Sequence, residues 1–256
     1  MHYVRPVLLA LLMIGVARTA GAIDLYEIQI YPVETAPPGH VDLELHLNSV
    51  TRAAGEEAKQ QLSPYQIHAT LEATYGMVPW LEIGQYLATG RLDNGNYEYA
   101  GSRTKVHFSI PQTADWLISF GGNVELDYMR RAAEENARGL EMRPIAETHF
   151  GNLGLIGNFA FEKPFNGPGT HEGVTFAPSG ELEYVQLLPW LSPALEYYGD
   201  LGPLSDLPGA PHQQHFLVPA VNLEFADHGA LNLGVGFGLT QASDATLLKA
   251  IVGWTF

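Results

Sequence analysis

The chain has no cysteine among its 256 residues. That excludes a disulfide framework and a lipid anchor on an N-terminal cysteine, so stability has to come from a large sheet or core. Basic residues are scarce, 13 Lys and Arg against 28 Asp and Glu, for a formal charge of −15. A nucleic-acid partner is excluded on that ground, because phosphate binding needs clustered Lys and Arg. Long apolar runs are missing after the first residues: nothing approaches the ~18 apolar residues of a membrane-spanning helix. Internal repeats and low-complexity tracts are missing as well. What is present is 46% hydrophobic residues, too many for a disordered acidic chain.

The first residues carry Arg5, the apolar run Val7 to Val16, and Ala20-Gly21-Ala22. This is the pattern of a secretory signal peptide over residues 1–22, with one domain expected over 23–256. Loss of Arg5 and Arg18 would take the charge from −15 to about −17. An exported chain without spanning helices can still sit in a membrane as a closed barrel, since only helices and barrels satisfy their own backbone there.

The remainder reads as segments of roughly ten residues with period-two alternation, the length at which a tilted strand crosses the apolar layer. Val41 to Val50 sets Val41, Leu43, Leu45 and Leu47 against Asp42, Glu44, His46 and Asn48. Gln66–Tyr75, Leu81–Gly90, Ser102–Ile110 and Trp116–Tyr128 follow, then Leu140–Phe150, Leu153–Glu162, Val174–Leu188, Leu191–Leu201 and Phe216–Phe225. Leu231–Thr240 and Thr246–Phe256 close the chain, for about twelve strands, an even number as in closed bacterial barrels. Ile23 to Tyr31 stands apart as an N-terminal segment, ended by Pro32 and the Pro37-Pro38-Gly39 turn. Connections alternate in size. The long ones are Thr51–Pro64, Arg91–Tyr99, Met129–Gly139, Pro164–Gly173 and Gly202–Gln214. The short ones are Gly76–Pro79, Pro111–Asp115, Gly151–Asn152, Pro189–Trp190 and Ala226–Gly229. Short periplasmic turns and long external loops give this parity and place both termini in the periplasm. Trp80, Trp116, Trp190 and Trp254, with Phe256, then share one membrane edge as an aromatic girdle.

The final strand, with Leu248, Ala250, Val252, Trp254 and Phe256 on one face, resembles the C-terminal strand of bacterial outer-membrane β-barrels. Such strands finish on Phe and are recognised by an assembly machine. The chain as a whole resembles the porin-like members of that class. Glu196 to Pro203 and Leu231 to Gly236 are similar to a group loosely akin to barrels assigned to uptake of aromatic compounds. The resemblance implies an all-β, antiparallel, up-and-down transmembrane barrel in a Gram-negative-type outer membrane. Its implied partners are outer-membrane lipid, periplasmic chaperones, the barrel-assembly machinery and a small solute.

With the apolar faces toward lipid, the lumen collects Glu44, Glu72, Glu125, Asp127, Glu141, Glu147, Glu181, Glu183, Glu196 and Glu224. Beside them stand His46, His68, Arg103, Lys105, Arg143 and Lys249, and Glu125 with Arg143 reads as a cross-strand pair. Acid-lined pores favour cations; the plain alternative is a narrow barrel whose charges pair across strands. His107 and Ser109 share a strand face, as in outer-membrane lipid hydrolases, but that face is the lumen. His212 with His215, or His46 with His68, could present imidazoles to a metal, yet no cysteine or tight carboxylate cluster completes either set. Gly234, Gly236 and Gly238 mark an inner wall that leaves room for side chains opposite. The expectation is passive passage of a small solute, without catalysis, cofactor or resident metal. An outer-membrane lipid hydrolase and a sealed structural barrel are the alternatives.

Overall fold

The computed structural model describes residues 23–52, 67–92, 95–112 and 116–256. The signal-peptide reading of 1–22 and nearly all of the Thr51–Pro64 loop therefore lie outside the described residues, as do residues 113–115 of one short turn.

Twelve strands form one closed antiparallel barrel in which every strand pairs with its sequence neighbours and β1 with β12. They are β1 Val41–Arg52, β2 Ile67–Val78, β3 Leu81–Arg91, β4 Tyr97–Ser109, β5 Ser119–Met129 and β6 Arg138–Phe150. The second half is β7 Leu153–Pro164, β8 Thr175–Tyr184, β9 Leu191–Asp200, β10 Gln214–Phe225, β11 Gly229–Gly238 and β12 Thr246–Thr255. Closure removes both sheet edges, so the only backbone left to satisfy lies in the connections. All twelve segments of the alternation are therefore strands.

The side-chain period places apolar residues outward. Leu43, Leu45 and Leu47 of β1, Leu71 of β2, Leu87 of β3, Val235 of β11 and Leu248 of β12 are all exposed. Their neighbours His46, Asn48, Glu72, Tyr86 and Lys249 are buried inside. A soluble protein would not leave a continuous apolar belt bare; a barrel in lipid must. Trp80, Trp116, Trp190, Trp254 and Phe256 are exposed at the end where β1 begins and β12 finishes, the turn end. Tyr97, Tyr99, Tyr128, Phe165 and Phe237 are exposed near the opposite, loop end, a second aromatic ring that the alternation pattern had not singled out.

Connection lengths depart from strict alternation. Trp116 to Ile118 lie outside β5, so β4 and β5 are joined by residues 110–118 at the turn end. That is longer than the connection 92–96 between β3 and β4 at the loop end. Parity of ends follows from the antiparallel closure rather than from loop size.

The larger departure is inside. Residues 23–40 are no wall strand; they run through the lumen. Ile23 donates its N–H to Gln214 at the loop end of β10, 2.8 Å away. Tyr26 packs with Ala88, Leu92, Ala100 and Met129, also near the loop end. The chain then descends to Thr35 and Ala36 at the turn end, where Pro37 to His40 turns it into β1 with Gly39 at φ +82°. Glycine suits that positive φ, and Pro38 before it pre-sets the turn. The described chain thus begins at the loop end and finishes at the turn end. The lumen is wide enough to admit an extended segment, and that segment enters β1 only after crossing it.

Candidate functional site: a plugged, acid-lined lumen

An extended segment without a ladder has to find partners for its backbone among side chains. The wall supplies them. Asn158 on β7 accepts from the Tyr31 N–H and donates to the Tyr31 carbonyl, both at 2.9 Å. Glu147 on β6 accepts from the Val33 N–H at 2.8 Å, and Glu82 on β3 from the Ala36 N–H at 2.5 Å. Asn48 donates to the Leu25 carbonyl at 3.0 Å. Gly76 clears the exit, since a Cβ there would stand 2.2 Å from the Pro37 carbonyl oxygen.

Around the plug, strands β2 to β6 carry a dense ionic network. Arg103 contacts Asp24, lies 2.8 Å from Glu27 and 3.0 Å from Asp127. Arg143 holds Glu141 through two N–H groups at 2.7 and 3.0 Å and lies 3.5 Å from Glu27. Lys105 donates to Glu72 at 2.6 Å and lies 3.3 Å from Glu82, which also faces His107 Nδ1 at 3.1 Å. Tyr31 of the plug sits at the centre. Its hydroxyl donates to Glu27 at 2.6 Å and meets the Tyr86 hydroxyl at 2.7 Å. Its ring lies 4.7 Å from the Arg143 guanidinium and 4.8 Å from the Lys105 ammonium, cation–π contacts on both. At the loop end, burial pushes the Glu134 carboxyl up to about 7; the Asp24 carboxylate adds to the push and Arg103 opposes it.

The opposite half of the lumen is different. Strands β6 to β12 and β1 enclose a cavity of about 360 Å³ lined by Glu44, Glu147, Glu181, Glu183, Glu196 and Glu224, with Lys249 among them. Glu196 takes the Lys249 ammonium at 2.7 Å, the Tyr198 hydroxyl at 2.8 Å and the Asn232 amide at 3.0 Å. Gly234 gives Lys249 this room, since a Cβ there would meet its Cγ at 3.0 Å. Trp190 and Glu224 line the cavity where it reaches the turn end. Toward the loop end Ile28 of the plug packs with Val50, Tyr198, Phe216, Val218 and Leu247, an apolar cluster that closes this half.

Of the residues expected in the lumen, His46, His68, Glu72, Arg103, Lys105, Glu125, Glu141, Arg143, Glu181, Glu196 and Lys249 are buried. Glu44, Asp127, Glu147 and Glu183 are half-buried and Glu224 is exposed. The Glu125–Arg143 pair is corrected. Register pairs Asn123 with Arg143 and Glu125 with Glu141, two residues from the expected alignment, because β6 already begins at Arg138. Arg143 therefore turns to Glu141 on its own strand and to the plug. His46 and His68 do not meet: His46 lies opposite Thr70, and His68 packs edge-on against the Tyr26 ring. His215 has both ring nitrogens engaged, by Tyr197 at 2.7 Å and Gln213 at 3.0 Å, and is no free metal ligand. His107 is buried at Glu82, facing the lumen and not the lipid.

No protein-family model matches the chain, and no curated protein matches it. Among solved structures it is similar to an outer-membrane channel from Pseudomonas putida F1, at 14% identity over 90% of this chain and 100% of that one, with a TM-score of 0.61. It is also similar to the NanC porin, at 9% identity over 84% and 98% of the two chains, TM-score 0.56. The KdgM porin, solved in complex with disordered oligogalacturonate, follows at 9% identity over 85% and 99%, TM-score 0.51. At such identities the likeness shows the fold, that of porin-like outer-membrane β-barrels.

Proposed function

We propose that the protein is an outer-membrane channel for small solutes whose N-terminal segment is a plug, with the acid-lined cavity as its vestibule. The observation that carries this reading is the manner in which residues 23–36 are held. Their anchors are side-chain hydrogen bonds and ion pairs to the wall, not a strand ladder. Such contacts can be exchanged for water one at a time as the segment slides or withdraws. The vestibule sets the preference among solutes: six glutamates against one lysine, between low-dielectric walls, favour cations. The apolar belt and the two aromatic rings fit an outer membrane, with the loop end outside and Phe256 on the periplasmic side.

A sealed structural barrel is the second reading, favoured by the apolar cluster around Ile28 that closes the vestibule. A lipid hydrolase would need a nucleophile and base facing acyl chains, and His107 faces the lumen. The test is the reversal potential of full-length protein in a planar bilayer under a salt gradient. The channel reading expects a cation-selective current. Well-folded protein that never conducts would leave the sealed barrel as the better account.

A further inference from the structure

Inside the lumen wall, the side chains of Glu44, His46 and Glu72 converge, and two of the three carry buried polar atoms without a hydrogen-bond partner. His46 on β1 is fully buried, and neither ring nitrogen has a hydrogen-bond partner. Its Nε2 lies 3.3 Å from Glu44 Oε2 and 3.4 Å from Glu72 Oε2. Glu72 is buried too, and that same Oε2 has no hydrogen-bond partner, while its other oxygen is held by Lys105 at 2.6 Å. A proton on Nε2 could serve only one of the two carboxylates, and neither stands in hydrogen-bonding geometry. Buried groups left this way call for a missing partner.

The distances say what kind. Around a tetrahedral divalent ion with bonds of about 2.0–2.1 Å, neighbouring ligand atoms are about 3.3 Å apart. The two separations from Nε2 match that edge length, and all three donor atoms lie within 4.8 Å of one another. Glu44 and Glu72 are direct cross-strand partners, so a small rotation of the half-buried Glu44 closes the third edge. One imidazole and two carboxylates suit a borderline ion such as Zn²⁺. Charge agrees: Glu72 and Glu82 share a single ammonium, Lys105, while Glu44 adds a further carboxylate beside His46, an excess that a divalent cation makes up.

We infer that Glu44, His46 and Glu72 form a divalent-cation site, with Zn²⁺ the best-matched ion, that ties the plug to the barrel wall. The tie is Gln29 of the plug. Its Nε2 donates to Glu44 Oε2 at 3.1 Å, while its buried Oε1 has no partner. Turning the amide over brings that oxygen to the ion as a fourth ligand. Glu44 and Gln29 both line the vestibule, which gives the ion its way in. The site does not depend on the barrel conducting.

The test uses full-length barrel folded in detergent, stripped with a chelator and titrated with Zn²⁺ alone by calorimetry. His212→Ala is introduced beforehand to silence the loop histidine beside β10. One equivalent should bind, more weakly as pH falls because the imidazole must lose its proton. Glu44→Gln should weaken binding at least tenfold, and His46→Gln should abolish it. If His46→Gln fails to fold, Glu44→Gln at its half-exposed position still decides. Gln29→Ala should weaken binding several-fold and remove Zn²⁺ protection of residues 23–36 from protease. Absence of saturable binding to the folded protein, or equal affinity in wild type and Glu44→Gln, would overturn the site.

Discussion

The two halves of the lumen are lined by the same kinds of residue and put them to different uses. On β2 to β6 the lumen cations Arg103, Lys105 and Arg143 are each locked against acids, three of them around Arg103 alone, and the plug runs through the middle. On β7 to β12 the acids outnumber Lys249 and surround open space. The difference teaches that polar lumen residues in this barrel are of two sorts. Asn158, Glu82 and Arg103 serve the plug, completing its backbone and charges, whereas Glu183 and Glu224 line the cavity. Acid content alone cannot tell a wall that holds something from a wall that passes something.

The sharpest way to break this comparison is to remove a cation from the packed half. Arg103→Ala leaves Asp24, Glu27 and Asp127 without their shared partner, and breaking such a buried cluster costs on the order of 3–5 kcal/mol. Folding titrations into lipid vesicles read that cost; a loss below about 1 kcal/mol, the range of surface pairs, would put the ionic half on a par with the vestibule. Next in size is the wall of the vestibule itself. Val235→Arg faces lipid and should cost about 2–4 kcal/mol, while Asn232→Arg on the inner face enters a cluster of glutamates and should cost much less. Equal penalties in the same titration would mean the faces are misassigned.

The barrel was legible because alternation survives in most of the twelve strands, as in β2, β3 and β12, and because a Phe-terminated strand and paired aromatics have few other uses. The plug was legible only as an oddity. Tyr26, Ile28 and Ile30 alternate with Glu27, Gln29 and Tyr31, yet a barrel already closed with an even number of strands has no place for another. Two glycines carried the missing signal. A side chain at Gly76 would strike the Pro37 carbonyl, and one at Gly90 would stand 2.9 Å from the Tyr26 hydroxyl. Neither can be read without knowing what passes them. Pair identities failed where register did: a shift of two residues between β5 and β6 moved Arg143 from Glu125 to Asn123.

Smaller effects sharpen the contrast. Glu183→Gln removes a vestibule charge whose contact is the Asn222 amide at 2.8 Å. Its stability cost should stay near that of one hydrogen bond, ~1 kcal/mol, while the reversal potential moves toward zero. Unchanged selectivity would take Glu183 out of the conducting path. Smallest is the pH response of Glu134 at the loop end, whose carboxyl is raised from 4.5 to about 7 in the fold. The folded state holds this proton more tightly, so the group favours folding at low pH and loses that contribution as pH rises through 7. Glu134→Gln should flatten the stability profile between pH 4.5 and 7; an unaltered slope would show that another group sets it.

The central claim is that the N-terminal segment, not the barrel wall, closes the lumen. Deleting residues 23–36 withdraws Ile28 from the apolar cap, Glu27 from the ionic half and Tyr31 from between its two cations, and leaves the wall intact. Single-channel conductance in planar bilayers should then rise several-fold over the full-length protein, with the cation preference retained. A deleted barrel that folds, as read by heat-modifiable gel mobility, yet conducts no more than the full-length chain would contradict the account.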